Sequence, residues 1–125
     1  MRILYVDHNP KICEQITAVL GEKFHVAAVP TAEKALSLMT QENKFAAVIA
    51  TNDGGKGLAF LTLVSYIYPL TKRVLLSGGG FMAESIHRQA ISKGHISRYY
   101  QTPYTPLHLL KDLVHDLSPA QSLSQ

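Results

Sequence analysis

The stretch that decides the fold is Ile3-Leu4-Tyr5-Val6-Asp7-His8-Asn9-Pro10. It opens with four consecutive apolar side chains and stops at the carboxylate of Asp7. Asn9 and Pro10 then supply turn chemistry, and proline suits the first turn of a helix. Apolar side chains recur at helical spacing from Ile12 until Gly21, a residue type that commonly ends helices. The stretch therefore predicts a short buried strand followed directly by a helix.

The same unit recurs along the rest of the chain. Apolar runs that predict four further strands occupy residues 24–29, 45–50, 73–77 and 96–101. Segments with helical spacing of apolar residues follow the five strands at residues 10–20, 32–39, 58–68, 83–93 and 106–117. Residues 52–57 contain three glycines and predict a loop. The pattern indicates five strands that alternate with five helices.

This alternation also predicts how the strands are arranged. Strands that alternate with helices run parallel, because each helix returns the chain across one face of the sheet. Three of the predicted strands are apolar on both faces, which is typical of a parallel sheet covered on both sides. The predicted fold class is therefore α/β, a doubly wound five-stranded parallel sheet with five helices. Such folds place their functional pocket at the carboxyl ends of the strands.

Composition limits the number of domains and the classes of function. The chain has 125 residues, 46% of them hydrophobic, as expected of one globular domain. We predict a domain at residues 1–117 and a tail or truncated linker at residues 118–125. The one cysteine, Cys13, excludes an internal disulfide framework, and the scattered basic residues argue against direct nucleic-acid binding. The longest apolar stretch, residues 58–70, is too short for a bilayer, so we expect no membrane association and a cytoplasmic location.

Three stretches, in this order and at this spacing, resemble the receiver domain of response regulators in two-component signalling. Residues 3–10 resemble the first strand of that family, which ends in an acidic pair and a turn. Residues 75–78 (LLSG) resemble its fourth strand, which ends in a hydroxyl residue and a small one. Residues 99–104 (YYQTPY) resemble its closing strand, which ends in Lys-Pro-aromatic. The resemblance covers residues 1–117 and implies a flavodoxin-like sheet of the receiver type.

The resemblance implies a phosphoryl-transfer chemistry that this chain retains only in part. Receiver domains phosphorylate an aspartate with the help of Mg²⁺, which carboxylates hold, and of a hydroxyl and a lysine. Asp7 matches the first acidic position, but His8 stands at the second. Thr51 occupies the acceptor position, Ser77 matches the hydroxyl and Thr102 replaces the lysine. The resemblance therefore implies a degenerate phosphorylation pocket.

The altered pocket leads us to expect no phosphorylated aspartate and no cofactor, with Mg²⁺ held at most weakly at Asp7. A threonine hydroxyl would form a phosphate ester instead of an acyl phosphate. The alternative acceptor is Asp53, which lies two residues after Thr51 and would point the same way along a strand. An acceptor at Asp53 leaves a shorter loop before Gly57 than the family has, which favours the assignment to Thr51.

The leading functional hypothesis is a non-enzymatic signalling module that acts through protein–protein contacts. Its expected partner is another protein, a fused output domain or a second copy of the chain. Ser77 and Tyr99 match the hydroxyl and the aromatic residue of the family's switch pair. The predicted contact surfaces are the helix at residues 58–68, apolar around most of its circumference, and the face formed by the fourth helix, Tyr99 and the last helix. The alternatives are a receiver phosphorylated at Asp53 and a flavodoxin-like domain that binds a small ligand or nucleotide through its glycine loops.

Overall fold

A computed structural model describes residues 1–42, 44–79 and 82–118 as a five-stranded parallel sheet with helices on both faces. The strands are β1 (Arg2–Val6), β2 (His25–Val29), β3 (Phe45–Thr51), β4 (Lys72–Ser77) and β5 (Arg98–Gln101). The helices are α1 (Pro10–Leu20), α2 (Ala32–Glu42), α3 (Lys56–Ile67), α4 (Ala83–Ser92) and α5 (Pro106–Asp116). The strand order β2-β1-β3-β4-β5 confirms the predicted fold class.

Alternate side chains of β1 enter two separate apolar cores, one on each face of the sheet. Ile3 and Tyr5 pack with residues of α1 and α5. Leu4 and Val6 pack with residues of α2, α3 and α4. All four side chains are at most 7% exposed, which explains why this strand is apolar without interruption.

The order of the strands determines where a site can form. β1 lies between β2 and β3, so the carboxyl ends of β1 and β3 adjoin at the point where the winding reverses. Asp7 and Thr51 stand at these two strand ends. The chain leaves β1 through a tight turn, because the side chain of Asn9 accepts hydrogen bonds from the backbone N–H groups of Lys11 and Ile12 and caps α1.

Ion pairs and hydrogen bonds fasten α5 to β5. The guanidinium of Arg98 donates two hydrogen bonds to the carboxylate of Asp116, at 2.6 and 2.9 Å. These bonds hold the pKa of the Asp116 carboxyl below its usual range. The hydroxyl of Tyr100 donates to the carboxylate of Asp112 one helical turn earlier. Bidentate arginine–carboxylate contacts constrain the relative orientation of the two side chains as well as their distance. They therefore connect α5 firmly to β5.

The predicted loop at residues 52–57 is wrong in its second half. Asp53–Gly55 form a single 3-10 turn, and α3 already begins at Lys56. The helix begins early because the side chain of Asn52 accepts a hydrogen bond from the backbone N–H of Leu58 at 2.9 Å. This side chain satisfies one of the donors that a helix N-terminus otherwise leaves open.

The predicted start of the fifth strand at residue 96 is also wrong. Ile96 is 2% exposed but lies in the turn before β5, which begins at Arg98. Ile96 is apolar because it fills the core beneath α4, so its burial does not require pairing in the sheet. An apolar run therefore overestimates the length of this strand.

The predicted tail lies almost entirely outside the described residues. Of the predicted tail, residues 118–125, only Ser118 is among the described residues. Within the described ranges, no helix combines the length and the apolar character needed to cross a bilayer.

Gly57 is required by the close approach of α3 to β3. A Cβ atom at this position would lie 2.1 Å from the carbonyl oxygen of Thr51. Because that oxygen belongs to the backbone, the helix would have to move, and we expect Gly57→Ala to lower the free energy of unfolding by about 1–3 kcal/mol. The loss should occur although alanine favours helices more than glycine does. Denaturant titration followed by far-UV circular dichroism measures it.

Gly78→Ala is the matched control. No heavy atom lies within 4 Å of a Cβ at Gly78, so this variant should stay within about 0.5 kcal/mol of the wild type. Equal stabilities of the two alanine variants would contradict the close packing of α3 against the end of β3.

Candidate functional site

A cleft of ≈ 350 Å³ opens at the carboxyl edge of the sheet, between the ends of β1, β3, β4 and β5. The six residues predicted to form the degenerate pocket all line it: Asp7, His8, Thr51, Asp53, Ser77 and Thr102. Among the described residues that line this cleft, there is no lysine or arginine. The fold therefore brings the predicted residues together in the cleft, and Lys56 lines the adjoining groove beside Thr51 and Asp53.

Asp7 is the buried carboxylate of the cleft, at 4% exposure, and both of its oxygens accept hydrogen bonds from its own chain. Oδ2 accepts from the hydroxyl of Tyr5 at 2.8 Å. Oδ1 accepts from the backbone N–H of Asn9 at 3.0 Å. The carbonyl oxygen of Asp7 also accepts from the thiol of Cys13 at 3.2 Å. Buried carboxylates need such donors, and here protein groups supply them.

His8 and Asp53 lie together at the exposed rim of the cleft. Nδ1 of His8 is 3.5 Å from Oδ2 of Asp53 and 4.0 Å from Oδ1 of Asp7. The side chains of His8 and Asp53 are both about two thirds exposed, at 68% and 69%. When protonated, the imidazole forms a solvent-screened ion pair with Asp53, a kind of contact that contributes little to stability.

Three hydroxyl residues, Thr51, Ser77 and Thr102, complete the cleft. Each of them forms a hydrogen bond with a backbone group at the ends of the strands. The hydroxyl of Thr51 donates to the carbonyl oxygen of Val6 at 3.4 Å. The hydroxyl oxygen of Ser77 accepts from the backbone N–H of Gly79 at 3.3 Å. The backbone N–H of Thr102 donates to the carbonyl oxygen of Ser77 at 2.9 Å, and a cis peptide bond joins Thr102 to Pro103.

The fold and this cleft can be compared with known proteins. No family model matches the chain, and no curated protein matches it. Among solved structures, the signal receiver domain of an HD domain-containing protein from Pseudomonas fluorescens Pf-5 is 26% identical; 98% of this chain and 90% of that chain are covered, with a TM-score of 0.81. A response regulator receiver domain from Clostridium thermocellum is 21% identical, with 98% of each chain covered and a TM-score of 0.83.

This chain has the receiver fold of response regulators. The match confirms the resemblance that the strand ends indicated. The response regulator DrrB of Thermotoga maritima, an OmpR/PhoB homolog, is 20% identical with a TM-score of 0.79, and the match spans 96% of this chain but 54% of that chain. The receiver folds of DrrB and of the Pseudomonas protein thus belong to longer proteins.

Sequence reasoning missed Tyr5, which lies beneath the cleft and bonds to its buried carboxylate. The sequence pattern presents Tyr5 as one member of an apolar run, and its ring is fully buried. It also lies two residues before Asp7, the spacing that places side chains on the same face of a strand. Burial, and then the hydrogen bond to Asp7, raises the pKa of the Tyr5 phenol well above its usual range. The hydroxyl therefore remains a proton donor to the carboxylate.

Tyr99, the predicted aromatic member of the receiver switch pair, contacts α4 instead of Ser77. In the sheet Tyr99 lies opposite Leu75, whereas Ser77 lies opposite Gln101, so the two are offset along neighbouring strands. The ring of Tyr99 is half-buried and packs on the imidazole of His87, with 4.6 Å between ring centroids. A coupled movement of Ser77 and Tyr99 stays a prediction.

A second, larger groove of ≈ 580 Å³ adjoins the cleft on the side of α2 and α3. Asp7, His8, Thr51 and Asp53 line both. Its floor is apolar and includes the following side chains: Val6, Leu36, Ala50, Phe60 and Leu63. One polar edge of the groove is therefore shared with the cleft, and Thr31, Glu33 and Lys56 add further polar groups.

Removal of the Tyr5 hydroxyl tests whether the carboxylate depends on it. We expect Tyr5→Phe to lower the free energy of unfolding by about 1.5–3 kcal/mol, because it leaves a buried oxygen of Asp7 without a donor. Denaturant unfolding at neutral pH measures the loss. In the Asp7→Asn background the same substitution should cost less, since the charge is gone.

Tyr66→Phe serves as the control, because Tyr66 is 74% exposed on α3 and should tolerate loss of its hydroxyl. Equal effects of the two tyrosine substitutions would show that the Tyr5–Asp7 contact does not stabilise the fold.

Proposed function

We propose that this chain is an atypical receiver domain of two-component signalling that is not phosphorylated and acts through protein–protein contacts. The observation that carries the proposal is the state of Asp7, whose two oxygens already accept hydrogen bonds from Tyr5 and Asn9. In the receiver pattern this carboxylate helps to hold Mg²⁺. Here the carboxylate of Asp7 binds donors of the polypeptide instead.

The donor set around Asp7 does not fit Mg²⁺. This ion prefers near-ideal octahedral coordination by oxygen atoms and gives up water reluctantly. His8 offers a nitrogen where the receiver pattern has a second carboxylate, and Asp53 lies on the exposed rim. Among the described residues, no group of three or more His, Cys, Asp or Glu side chains is arranged to hold a metal ion. The residues around Asp7 therefore do not form a Mg²⁺ site for phosphoryl transfer.

The residues at the acceptor and lysine positions support the same proposal. Thr51 is half-buried, and its hydroxyl donates to the carbonyl oxygen of Val6. At the lysine position of the receiver pattern a phosphoryl group would meet the uncharged side chain of Thr102; Lys56 lines the adjoining groove at the start of α3. Developing negative charge on the phosphoryl oxygens would then be poorly compensated in a partly buried cleft.

Exposed apolar side chains support a role in protein contacts. On α3, whose buried face is formed by Phe60, Leu61 and Val64, the outward face carries Tyr66 and Ile67, at 74% and 51% exposure. The helix is thus buried on one face and apolar on the other, as its sequence indicated. On the other predicted surface, α4 exposes the apolar side chains of Ile86 and Ile91. A partner protein or a fused output domain would cover such residues.

Phosphorylation at Asp53 is the alternative that the geometry keeps open. Its carboxylate lines the same cleft as Ser77 and is accessible from solvent. Asp53 begins the 3-10 turn instead of ending β3, so it stands further from the sheet edge than Thr51. We therefore place the alternative second.

Treatment with acetyl phosphate and Mg²⁺ tests the proposal. We expect the intact mass of the wild-type protein to stay unchanged, because no carboxylate occupies the acceptor position. The triple variant His8→Asp, Thr51→Asp, Thr102→Lys restores the receiver pattern and should gain one labile phosphoryl group. Intact-protein mass spectrometry at neutral pH, before and after hydroxylamine treatment, gives the readout.

A labile phosphoryl group on the wild-type protein would contradict the proposal. Its disappearance in Asp53→Asn would then establish Asp53 as the acceptor.

Binding of a small ligand is a second candidate function, favoured by the groove between α2 and α3. Its volume of ≈ 580 Å³ and its apolar floor with a few polar groups at one end are typical of small-molecule sites. This function predicts a saturable rise in melting temperature with a nucleotide or a flavin. Leu63→Asp should abolish that rise, whereas a substitution on the opposite face of the sheet should not.

A further inference from the structure

The docking of α4 on the sheet depends on a histidine. The buried residues of this helix are Ala83, His87 and Ala90, which follow one another at the spacing of a single helix face. His87 is 1% exposed, and the two alanines on either side of it reach only a short distance. The imidazole is therefore the largest side chain that α4 inserts into the protein.

The surroundings of His87 suit a neutral imidazole. Its ring packs on Tyr99, and its Nδ1 lies 3.5 Å from Nε2 of Gln101, both on β5. Burial lowers the pKa of the His87 imidazole, with no opposing contribution from a carboxylate among the described residues. A buried imidazolium without a counter-charge is strongly disfavoured.

The charged groups near α4 do not compensate a proton on His87. On α4 itself, Glu84 pairs with Arg88 at 2.7 Å, and both side chains are mostly exposed. From β4, the guanidinium of Arg73 donates to the carbonyl oxygens of Gly94 and His95, beyond the end of the helix. On β5 the titratable group that faces His87 is the phenol of Tyr99, which also contacts Arg88 of α4, whereas Arg98 and Tyr100 bond to carboxylates of α5. Beneath the helix the remaining neighbours are apolar, with Val64 of α3 and Leu75 of β4.

The start of α4 is strained, and the helix packs less closely on its neighbours than the other helices do. Met82, immediately before α4, has φ = 69°, a left-handed conformation that is unfavourable for a residue with a side chain. Gly79, in the connection from β4, also has a positive φ of 81°. Of the five helices, α4 forms the weakest pairwise packing with other elements. Weakly packed elements are the ones that rearrange at low free-energy cost.

We propose that protonation of His87 releases α4 from β5 and thereby changes the surface formed by α4 and Tyr99, so that this receiver domain responds to protons. The proposal deepens the proposed function, since that surface is one of the two predicted for partner contacts. An imidazolium reaches water only if α4 moves away from Tyr99 and Gln101. The movement displaces Ile86 and Ile91, the exposed apolar residues of the same helix.

The direction of the pH dependence follows from the neutral state of the buried ring. The unfolded chain takes up a proton at His87 near the ordinary histidine value of about 6.5, whereas the folded chain resists it. Stability is therefore complete above about pH 6.5 and falls as the pH drops below that value. Among the six histidines of the chain, only His87 is fully buried in the described residues, so this contribution is specific to α4.

Nuclear magnetic resonance of the full chain between pH 8 and pH 5 tests the proposal. We expect the Cε1–H signal of His87 to titrate with a midpoint below that of an unstructured histidine. The ring signals of Tyr99 and the amide signals of α4 should shift with the same midpoint. In His87→Gln the shifts of Tyr99 and α4 should be lost, while the signals of β1 and α1 stay as in the wild type.

Two further variants serve as controls for the titration of His87. His87→Leu keeps the volume of the core without a titratable group, and covers the case that His87→Gln does not fold. His95→Gln removes the histidine that contacts Tyr66 at the end of α3, with ring centroids 5.9 Å apart. This variant should retain the response of Tyr99.

The proposal is overturned if His87 titrates without any shift of Tyr99 and α4, or if it stays neutral until the whole protein unfolds. Either result leaves the proposed function untouched, since the phosphodonor experiment is read at the cleft. Conversely, a phosphorylated Asp53 would refute the proposed function without altering the titration of His87.

Discussion

The hydrogen bond from the buried hydroxyl of Tyr5 to the carboxylate of Asp7 is the interaction on which the cleft depends. A carboxylate at this depth is tolerated only with donors or a cation beside it, because loss of hydration is otherwise uncompensated. The hydroxyl of Tyr5 and the backbone N–H of Asn9 supply these donors from within the chain. The same turn starts α1, so the carboxylate holds together a strand end and a helix start. The carboxylate at the position that the receiver pattern uses for a cation thus accepts hydrogen bonds from the scaffold.

The receiver fold persists beside this altered cleft because fold and site draw on different residues. The sheet is held by side chains such as Leu4, Ile49 and Leu75, which are fully buried and remote from solvent. Changes at Thr51 and Thr102 affect the edge of the sheet, where the chain turns and water has access. Burial of apolar area, which provides most of the stability, is therefore unaffected by the loss of carboxylates and lysine. Similarity of fold alone does not show which chemistry a receiver performs.

Patterns with one dominant cause were predictable from the sequence. The apolar run of β1 and the start of α1 at Asn9 follow directly from burial and capping, and six cleft residues followed from their place after strands. Details with competing causes were not predictable. The helix start at Lys56 is accompanied by a hydrogen bond to the side chain of Asn52, which lies before the helix and whose orientation the sequence pattern does not reveal. The Tyr5–Asp7 pair and the buried His87 were not predictable because tyrosine, aspartate and histidine also occur at exposed positions, and only tertiary contacts decide between the two.

The attachment of β5 differs between its two faces. Towards α5, Arg98 and Tyr100 engage carboxylates in bonds that restrict rotation and translation together. Towards α4, Tyr99 and Gln101 contact the uncharged ring of His87, and Tyr99 also contacts the exposed guanidinium of Arg88. Elements held by few specific contacts rearrange at a lower free-energy cost than elements held by several, so we expect β5 to keep its position against α5 when α4 moves. The edge of the sheet is therefore asymmetric although the layers look alike: one flanking helix is anchored by a bidentate ion pair, and the other, among the described residues, is not.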